Sequence, residues 1–376
     1  MQFRDLGTQY KVLKPEIDKG IQDVINSTSF ILGKPVNELE RKLASYVGRK
    51  YCVACANGTD ALHLSLKAMD IGFGDAVFVA DFTYFASAGC ICIVGATPVF
   101  VDIDLNTFNM SPVSLEKQIE RVLAEERLTP KAIIPVDLFG LPANYPAIEA
   151  IAKKYGLKIL EDAAQGFGGQ INGRIDCSFG DMSATSFFPA KPLGCYGDGG
   201  AIFTDDAVID ERLRSLRANG RSPGDKYDNR EVGFNSRLDT LQAAILLPKF
   251  KAFIEHELTD VNKVAGWYTT RLKDTVVTPM VPEGYLSSWA QYTILVDSQK
   301  QREKIQKALK EENIPSMIYY PRGMHEQGAF AKMNINGIDY PNTVEATKRV
   351  MSLPIHPYLQ EAEVEQICNI IKKIVK

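Results

Sequence analysis

The sequence predicts an α/β protein: a large domain with a mostly parallel central sheet flanked by helices, then a smaller C-terminal α+β domain. Three observations predict it. Apolar runs of strand length alternate with helical periodicity from residue 51 to residue 160, the rhythm of βα units. A glycine-bearing hairpin interrupts that rhythm between Ser186 and Thr204. Beyond about residue 250 the βα repeat is gone. The 376 residues exceed what one ordinary core encloses, which also favours two domains. The division falls near 1–250 and 251–376, within or after a long helix that starts at Thr240.

Composition narrows the class. Hydrophobic residues make up 45% and charged residues 24%, which excludes a disordered or fibrous chain. The net charge of −3 supplies no global basic field, so nucleic acid is not an expected partner. No apolar run is long enough to span a bilayer, and the opening Met-Gln-Phe-Arg-Asp does not read as a signal peptide. Seven scattered cysteines, an odd number, suggest reduced thiols in a cytoplasmic protein. Cys52 and Cys55 have CxxC spacing, but no second pair or histidine cluster completes a zinc site, and no metal is expected.

Taken in order, residues 1–28 are helical, with Ile17, Ile21, Val24 and Ile25 on one stripe. Pro35–Tyr46 forms a second amphipathic helix that ends at Gly48. Tyr51–Ala56 is the first strand, and Asn57-Gly-Thr-Asp60 opens the helix after it. His63 lies inside that helix as a packing residue. Strands follow at Ala76–Ala80, Thr97–Asp102, Ala132–Val136 and Leu157–Leu160, with helices at Ser114–Ala124 and Tyr145–Tyr155 between them. After the hairpin come a helix over Asp206–Arg217, a polar, mobile stretch to Phe234, and the long helix from Thr240. The C-terminal part holds strands at Tyr292–Val296 and Ser316–Tyr320, a helix over Arg302–Glu312, and a last helix with Val364, Ile367, Ile370, Ile371 and Ile374 on its apolar stripe.

Several chemistry-bearing residues fall at strand ends, where an open α/β sheet binds its ligands. Gly58 and Thr59 stand where a strand passes into a helix, and that turn serves either as an anion cradle or as an ordinary N-cap. Tyr84 follows a strand; its ring either offers a face to a planar ligand or packs in the core. Asp162 ends the fifth strand. Ser186 and Lys191 flank Phe187-Phe-Pro-Ala190, and Gly194, Gly197, Gly199 and Gly200 follow, which suggests unusual backbone angles there. A lysine held in such a turn is partly desolvated and closer to the neutral amine that attacks a carbonyl. Taken alone it is equally a surface charge. Together, an anion cradle, an aromatic face, a carboxylate, a hydroxyl and an amine are what pyridoxal 5'-phosphate needs.

Seven motifs in order carry a family resemblance: Phe30-Ile-Leu-Gly33 with Leu39-Glu40, Asn57–Leu62, Phe82–Ala86, Glu161–Gln165, Ser186–Lys191, Gly197–Gly200 and Asn235-Ser-Arg237. With them the chain resembles the DegT/StrS-type nucleotide-sugar aminotransferases, fold type I enzymes that use pyridoxal phosphate. The resemblance implies that Lys191 holds the cofactor as a Schiff base and shuttles protons. It implies that Asp162 pairs with the pyridine nitrogen, Gln165 bonds the 3'-oxygen, and Tyr84 stacks on the ring. Gly58, Thr59 and Ser186 would hold the phosphate. Asn235 would reach the cofactor of a neighbouring subunit, so a homodimer with shared sites is implied. Arg237, Tyr319 and Tyr320 would meet the substrate. Members with histidine in place of the lysine are dehydratases, and the lysine here favours transamination. The run Ser186–Gly200, with Asn235–Leu246 and Met351–Leu359, is most similar to the subgroup that aminates UDP-linked 3-keto-N-acetylglucosaminuronate with L-glutamate for surface polysaccharide. Tyr319-Tyr320-Pro321 stands where that subgroup tends to carry His-Tyr-Pro.

Overall fold

The structure is a computed structural model that describes residues 1–225, 227–333 and 339–375. The chain opens with helices α1 (Leu6–Ser27) and α2 (Lys34–Val47). Next come β1 (Tyr51–Cys55), α3 (Gly58–Ala68), β2 (Asp75–Ala80), α4 (Phe85–Ile93) and β3 (Thr97–Val101). Then follow α5 (Pro112–Glu125), β4 (Thr129–Ile134), α6 (Tyr145–Tyr155) and β5 (Lys158–Asp162). Two short strands, β6 (Gln170–Ile171) and β7 (Arg174–Ile175), precede the hairpin of β8 (Met182–Ser186) and β9 (Gly200–Thr204). Helix α7 (Ala207–Leu216) leads on to α8 (Thr240–Ala252), which passes through a wider turn into α9 (Leu258–Leu272). The remainder is β10 (Tyr285–Leu286), β11 (Tyr292–Leu295), α10 (Gln299–Glu311), α11 (Pro341–Arg349), β12 (Val350–Leu353) and α12 (Glu361–Val375).

Seven strands form one sheet in the order β1-β9-β8-β5-β4-β2-β3. Neighbours from β8 to β3 pair in parallel, and β9 runs antiparallel to both β1 and β8. Alternation along the strands sends successive side chains to opposite faces. On β2, Ala76, Phe78 and Ala80 join the core under α5 and α6, while Val77 and Val79 join the core under α3 and α4. A third core lies under α2 and α8, where Cys52, Ala54, Ala201 and Phe203 meet Leu39, Leu43 and Leu246. A fourth gathers residues from Val261 to Ile371 around the β11–β12 pair. Helix α12 docks there through Val364, Ile367 and Ile371, all at 0% exposure. Burying each such side chain contributes about 1.5–3 kcal/mol.

Two expectations need correction. Ser316–Tyr320 is not a strand: Met317 makes a single bridge to Ser352, and the chain then turns at Pro321 and presents Tyr319 and Tyr320 to a cavity. Gly194, Gly197, Gly199 and Gly200 are not in the left-handed region. Several are there for close approach. An added Cβ at Gly194 would lie 2.5 Å from the Pro189 carbonyl oxygen, and one at Gly200 would lie 2.5 Å from the Asn57 backbone. The polar stretch after α7 carries its own bridges, Ala218 to Asn235 and Arg221 to Asn229.

Candidate active site

A cavity of about 720 Å³ opens at the C-terminal ends of the parallel strands. It is lined by the start of α3, the β2–α4 turn, the end of β5, the β8–β9 turn, and Gln291, Tyr319 and Tyr320 from the C-terminal part. Of the sequence-predicted residues, Gly58, Thr59, Tyr84, Asp162, Gln165, Ser186, Lys191, Tyr319 and Tyr320 all line it. Asn235 and Arg237 do not. They lie at the surface, where the Arg237 guanidinium donates to Asn235 Oδ1.

The anion cradle comes from the β1–α3 junction. Asn57, not Thr59 or Asp60, is the N-cap: its Oδ1 accepts from the Asp60 N–H at 2.8 Å. The Gly58 and Thr59 N–H groups have no acceptor inside the helix and lie at the positive end of its dipole. Ser186 stands opposite. A Cβ at Gly58 would lie 2.6 Å from Ser186 Cβ, so any side chain there would fill the cradle. The Ser186 hydroxyl accepts from Phe188 N at 3.3 Å and keeps its own proton to donate.

Asp162 is 3% exposed. Its Oδ2 accepts from Ser87 Oγ at 2.7 Å and its Oδ1 from Ala164 N at 3.1 Å. Burial pushes the carboxyl up, while Ser87, Ala164 and the Lys191 charge pull it down. Lys191 sits in a turn closed by its own N–H on Phe188 O at 2.9 Å. Arg4 braces the same turn from the N-terminal segment, donating from Nε to Ala190 O at 2.9 Å. Burial lowers the Lys191 amine to about 8, against the pull of Asp162 and with help from the Arg4 charge. A neutral amine is therefore accessible near physiological pH.

Gln165 spends Oε1 on Phe139 N at 2.9 Å, so its amide nitrogen is the end left for a ligand; it donates to Tyr320 OH at 3.1 Å. Tyr84 is 56% exposed, and its ring centroid lies 6.4 Å from that of Tyr320. Tyr84 is thus a free ring face and not a core residue. The sequence reading missed Ser87, Gln291 and Arg4. Ser87 had a usable signal: it lies three residues after Tyr84, one helical turn into α4, on the same side as the cavity.

A pyridoxal phosphate fits this donor set. Two free backbone N–H groups and a hydroxyl suit its phosphate, a buried carboxylate suits its ring nitrogen, and a desolvated lysine suits its aldehyde.

Comparison with known proteins agrees. Residues 11–372 match the model of the DegT/DnrJ/EryC1/StrS aminotransferase family. A Pseudomonas aeruginosa protein named UDP-2-acetamido-2-deoxy-3-oxo-D-glucuronate aminotransferase is 45% identical over 371 residues, 98% of each chain. An Acidithiobacillus ferrooxidans protein named UDP-N-acetyl-3-dehydro-alpha-D-glucosamine 3-aminotransferase is 41% identical, over 98% of this chain and 96% of that one. The solved structure of a DegT DnrJ EryC1 StrS aminotransferase from Brucella abortus superposes with a TM-score of 0.96 at 45% identity, covering 99% of each chain. Matched in sequence and fold along nearly its whole length, the chain belongs to the DegT/DnrJ/EryC1/StrS aminotransferase family, fold type I enzymes whose cofactor is pyridoxal 5'-phosphate.

Proposed function

We propose that this aminotransferase moves an amino group from L-glutamate to the C3 ketone of a UDP-linked N-acetylated keto sugar, with the 3-keto uronate as the first candidate. The observation that carries the reading is Lys191 facing Asp162 across one cavity, beside the Gly58–Thr59 cradle. Pyridoxal phosphate, when bound, supplies a carbonyl for the amino group and a ring that takes up an electron pair. The chain supplies the rest. Gly58, Thr59 and Ser186 anchor the phosphate, Asp162 keeps the ring nitrogen protonated, Gln165 donates to the 3'-oxygen, and Tyr84 covers the ring. Lys191 Nζ, near neutrality because of its burial, takes the proton from the donor's α-carbon.

The same reading makes the protein a cytoplasmic homodimer that serves a surface polysaccharide such as O-antigen. Two observations support it: Asn235 and Arg237 lie outside their own chain's cavity, and all seven cysteines are free. Among the described residues, no helix is long and apolar enough to cross a membrane.

A second reading has its own support. Among the described residues lining the cavity, Lys191 is the only cation, and Tyr319 and Tyr320 carry none. A uronate carboxylate would need a partner such as Arg237 from a second copy, whereas a neutral 3-keto or 4-keto-6-deoxy sugar would not.

The test is a half-reaction followed by absorbance. L-Glutamate should convert the bound cofactor to its amine form, and a 3-keto sugar nucleotide should return it. Return with the uronate alone supports the first reading. Return with the neutral sugar alone replaces it with the second. No conversion by glutamate removes glutamate as donor.

A further inference from the structure

Behind the cofactor loop lies a cluster that the transamination reading does not use. Asp137, Glu161 and Asp176 are each 0% exposed, and each offers a carboxylate oxygen within 4.8 Å of the others. Their hydrogen bonding is unequal. Glu161 accepts from Cys177 N at 2.5 Å, Phe179 N at 2.7 Å and Ser183 Oγ at 2.7 Å, which leaves one lone pair of Oε1 open. Asp137 Oδ1 accepts from Ala143 N and Tyr145 OH, both at 2.9 Å. Both oxygens of Asp176 lack a hydrogen-bond partner, and Asp137 Oδ2 receives no donor from outside the cluster, where its carboxyl faces Glu161.

More oxygens crowd the same spot. A Cβ at Gly166 would lie 2.5 Å from Asp176 Oδ2 and 2.9 Å from Asp137 Oδ2. One at Gly169 would lie 2.5 Å from Asp176 Oδ2 and 3.1 Å from the carbonyl oxygens of Gly140 and Gly166. Two glycines are thus what allow acceptor oxygens from three loops to converge. Among the described residues, no lysine or arginine forms an ion pair with any of the three carboxylates. Arg49, whose charge acts on Glu161, is tied to Asp205 and to the Phe179 and Gly180 carbonyls.

We propose that Asp137, Glu161 and Asp176 bind a hard divalent cation, Ca²⁺ by its chemistry, at a structural site beneath the loop that carries Asp162 and Gln165. The donors are carboxylate oxygens without nitrogen or sulfur, which suits Ca²⁺ over zinc. Oxygens up to 4.8 Å apart can sit on opposite sides of an ion at the usual Ca–O distance of about 2.3–2.6 Å. Unpartnered buried carboxylate oxygens are costly, and a cation is one of two ways to relieve them. The other is protonation, and burial together with the neighbouring carboxylates does push Asp137 and Asp176 well up. The cation would tie the loop Asp162–Gly169 to the end of β4 and the turn after β7.

The test counts metal. The full chain, purified without chelator, is incubated in separate arms with Ca²⁺, Mg²⁺, and Na⁺ plus K⁺, then gel-filtered and analysed by mass spectrometry. About one Ca²⁺ per chain is expected, with a melting temperature at least about 3 °C above the EDTA arm. Asp176→Asn should lose both the ion and the EDTA effect. Should that variant fail to fold, the wild-type count and EDTA shift still decide. Stoichiometric Mg²⁺ with no Ca²⁺ would overturn the choice of ion. No retained divalent metal and no EDTA effect would overturn the site and leave a proton-sharing acid cluster.

Discussion

Two lysines, the half-buried Lys191 and the fully buried Lys249, differ in almost everything except their basicity. Burial lowers both amines to about 8. Lys191 sits in a turn at a cavity mouth, opposite Asp162, with the Gly58–Thr59 cradle nearby. Lys249 lies on α8 at 1% exposure, its Nζ without a hydrogen-bond partner and 4.7 Å from the centre of the Tyr196 ring. A depressed lysine therefore does not by itself mark a reactive one. What separates the two is access: only Lys191 shares a cavity of ligand size with a carboxylate and free backbone donors.

The sharpest way to break this comparison is to remove each amine. Lys191→Ala should lower kcat by at least about 10³-fold, since it removes both the cofactor's attachment point and the proton carrier. Lys249→Met should leave kcat within about threefold. Equal losses in steady-state assays would mean that the two lysines are not functionally distinct.

The next effect is on stability, and its sign follows from protonation. Lys249 has a folded-state value of about 8 against an ordinary 10.5, so the unfolded chain binds more protons between those values. Wild-type stability should rise as pH climbs from about 8 to about 10.5. Below 8 the buried charge is a full penalty of about 3 kcal/mol, the shift converted at 1.36 kcal/mol per unit. Lys249→Met should thus be more stable than wild type at pH 7, less the lost contact with Tyr196, and the gap should close by pH 10.5. Urea denaturation at pH 7 and pH 10 checks this. A gap that is constant with pH would show that Lys249 keeps its ordinary basicity in the folded chain.

Much of this was legible in the sequence, and for local reasons. Short Val/Ile/Phe runs, such as Ala76–Ala80 and Ala132–Ile134, read as buried strands by their length and flanking turns, and Asp162 and Thr59 fall at or just past the C-terminal ends of neighbouring strands of the same sheet. Lys191 was legible because its glycines crowd one side of it, although they act by close approach and not by backbone angle. Ser316–Tyr320 was misread because Met-Ile-Tyr-Tyr has strand composition, and local pattern does not reveal that Tyr320 is aimed at Gln165. The Asp137–Glu161–Asp176 cluster was invisible, since its members come from strand β5 and two separate loops and meet only when β4, β5 and β7 are in place. Glu161 and Asp162 are adjacent in sequence, yet strand alternation sends one to that cluster and the other to the cavity.

The smallest expected effect sharpens what sets Lys191 apart. Its assignment depends on facing an ionised Asp162, and Ser87 Oγ is the side-chain donor that favours that ionised form. Ser87→Ala removes one hydrogen bond to a charged group, worth about 1.5–3 kcal/mol. Burial already holds the Asp162 carboxyl above its ordinary value, and losing Ser87 moves it higher still. Activity is retained above the carboxyl's pKa and lost as pH falls through it, so the acid limb of the kcat/KM profile should shift to higher pH. Near pH 8 the loss should be a few-fold at most. A drop that is uniform across pH would place Ser87 in packing, and Asp162 would then owe its charge to Ala164 and to the lysine it faces.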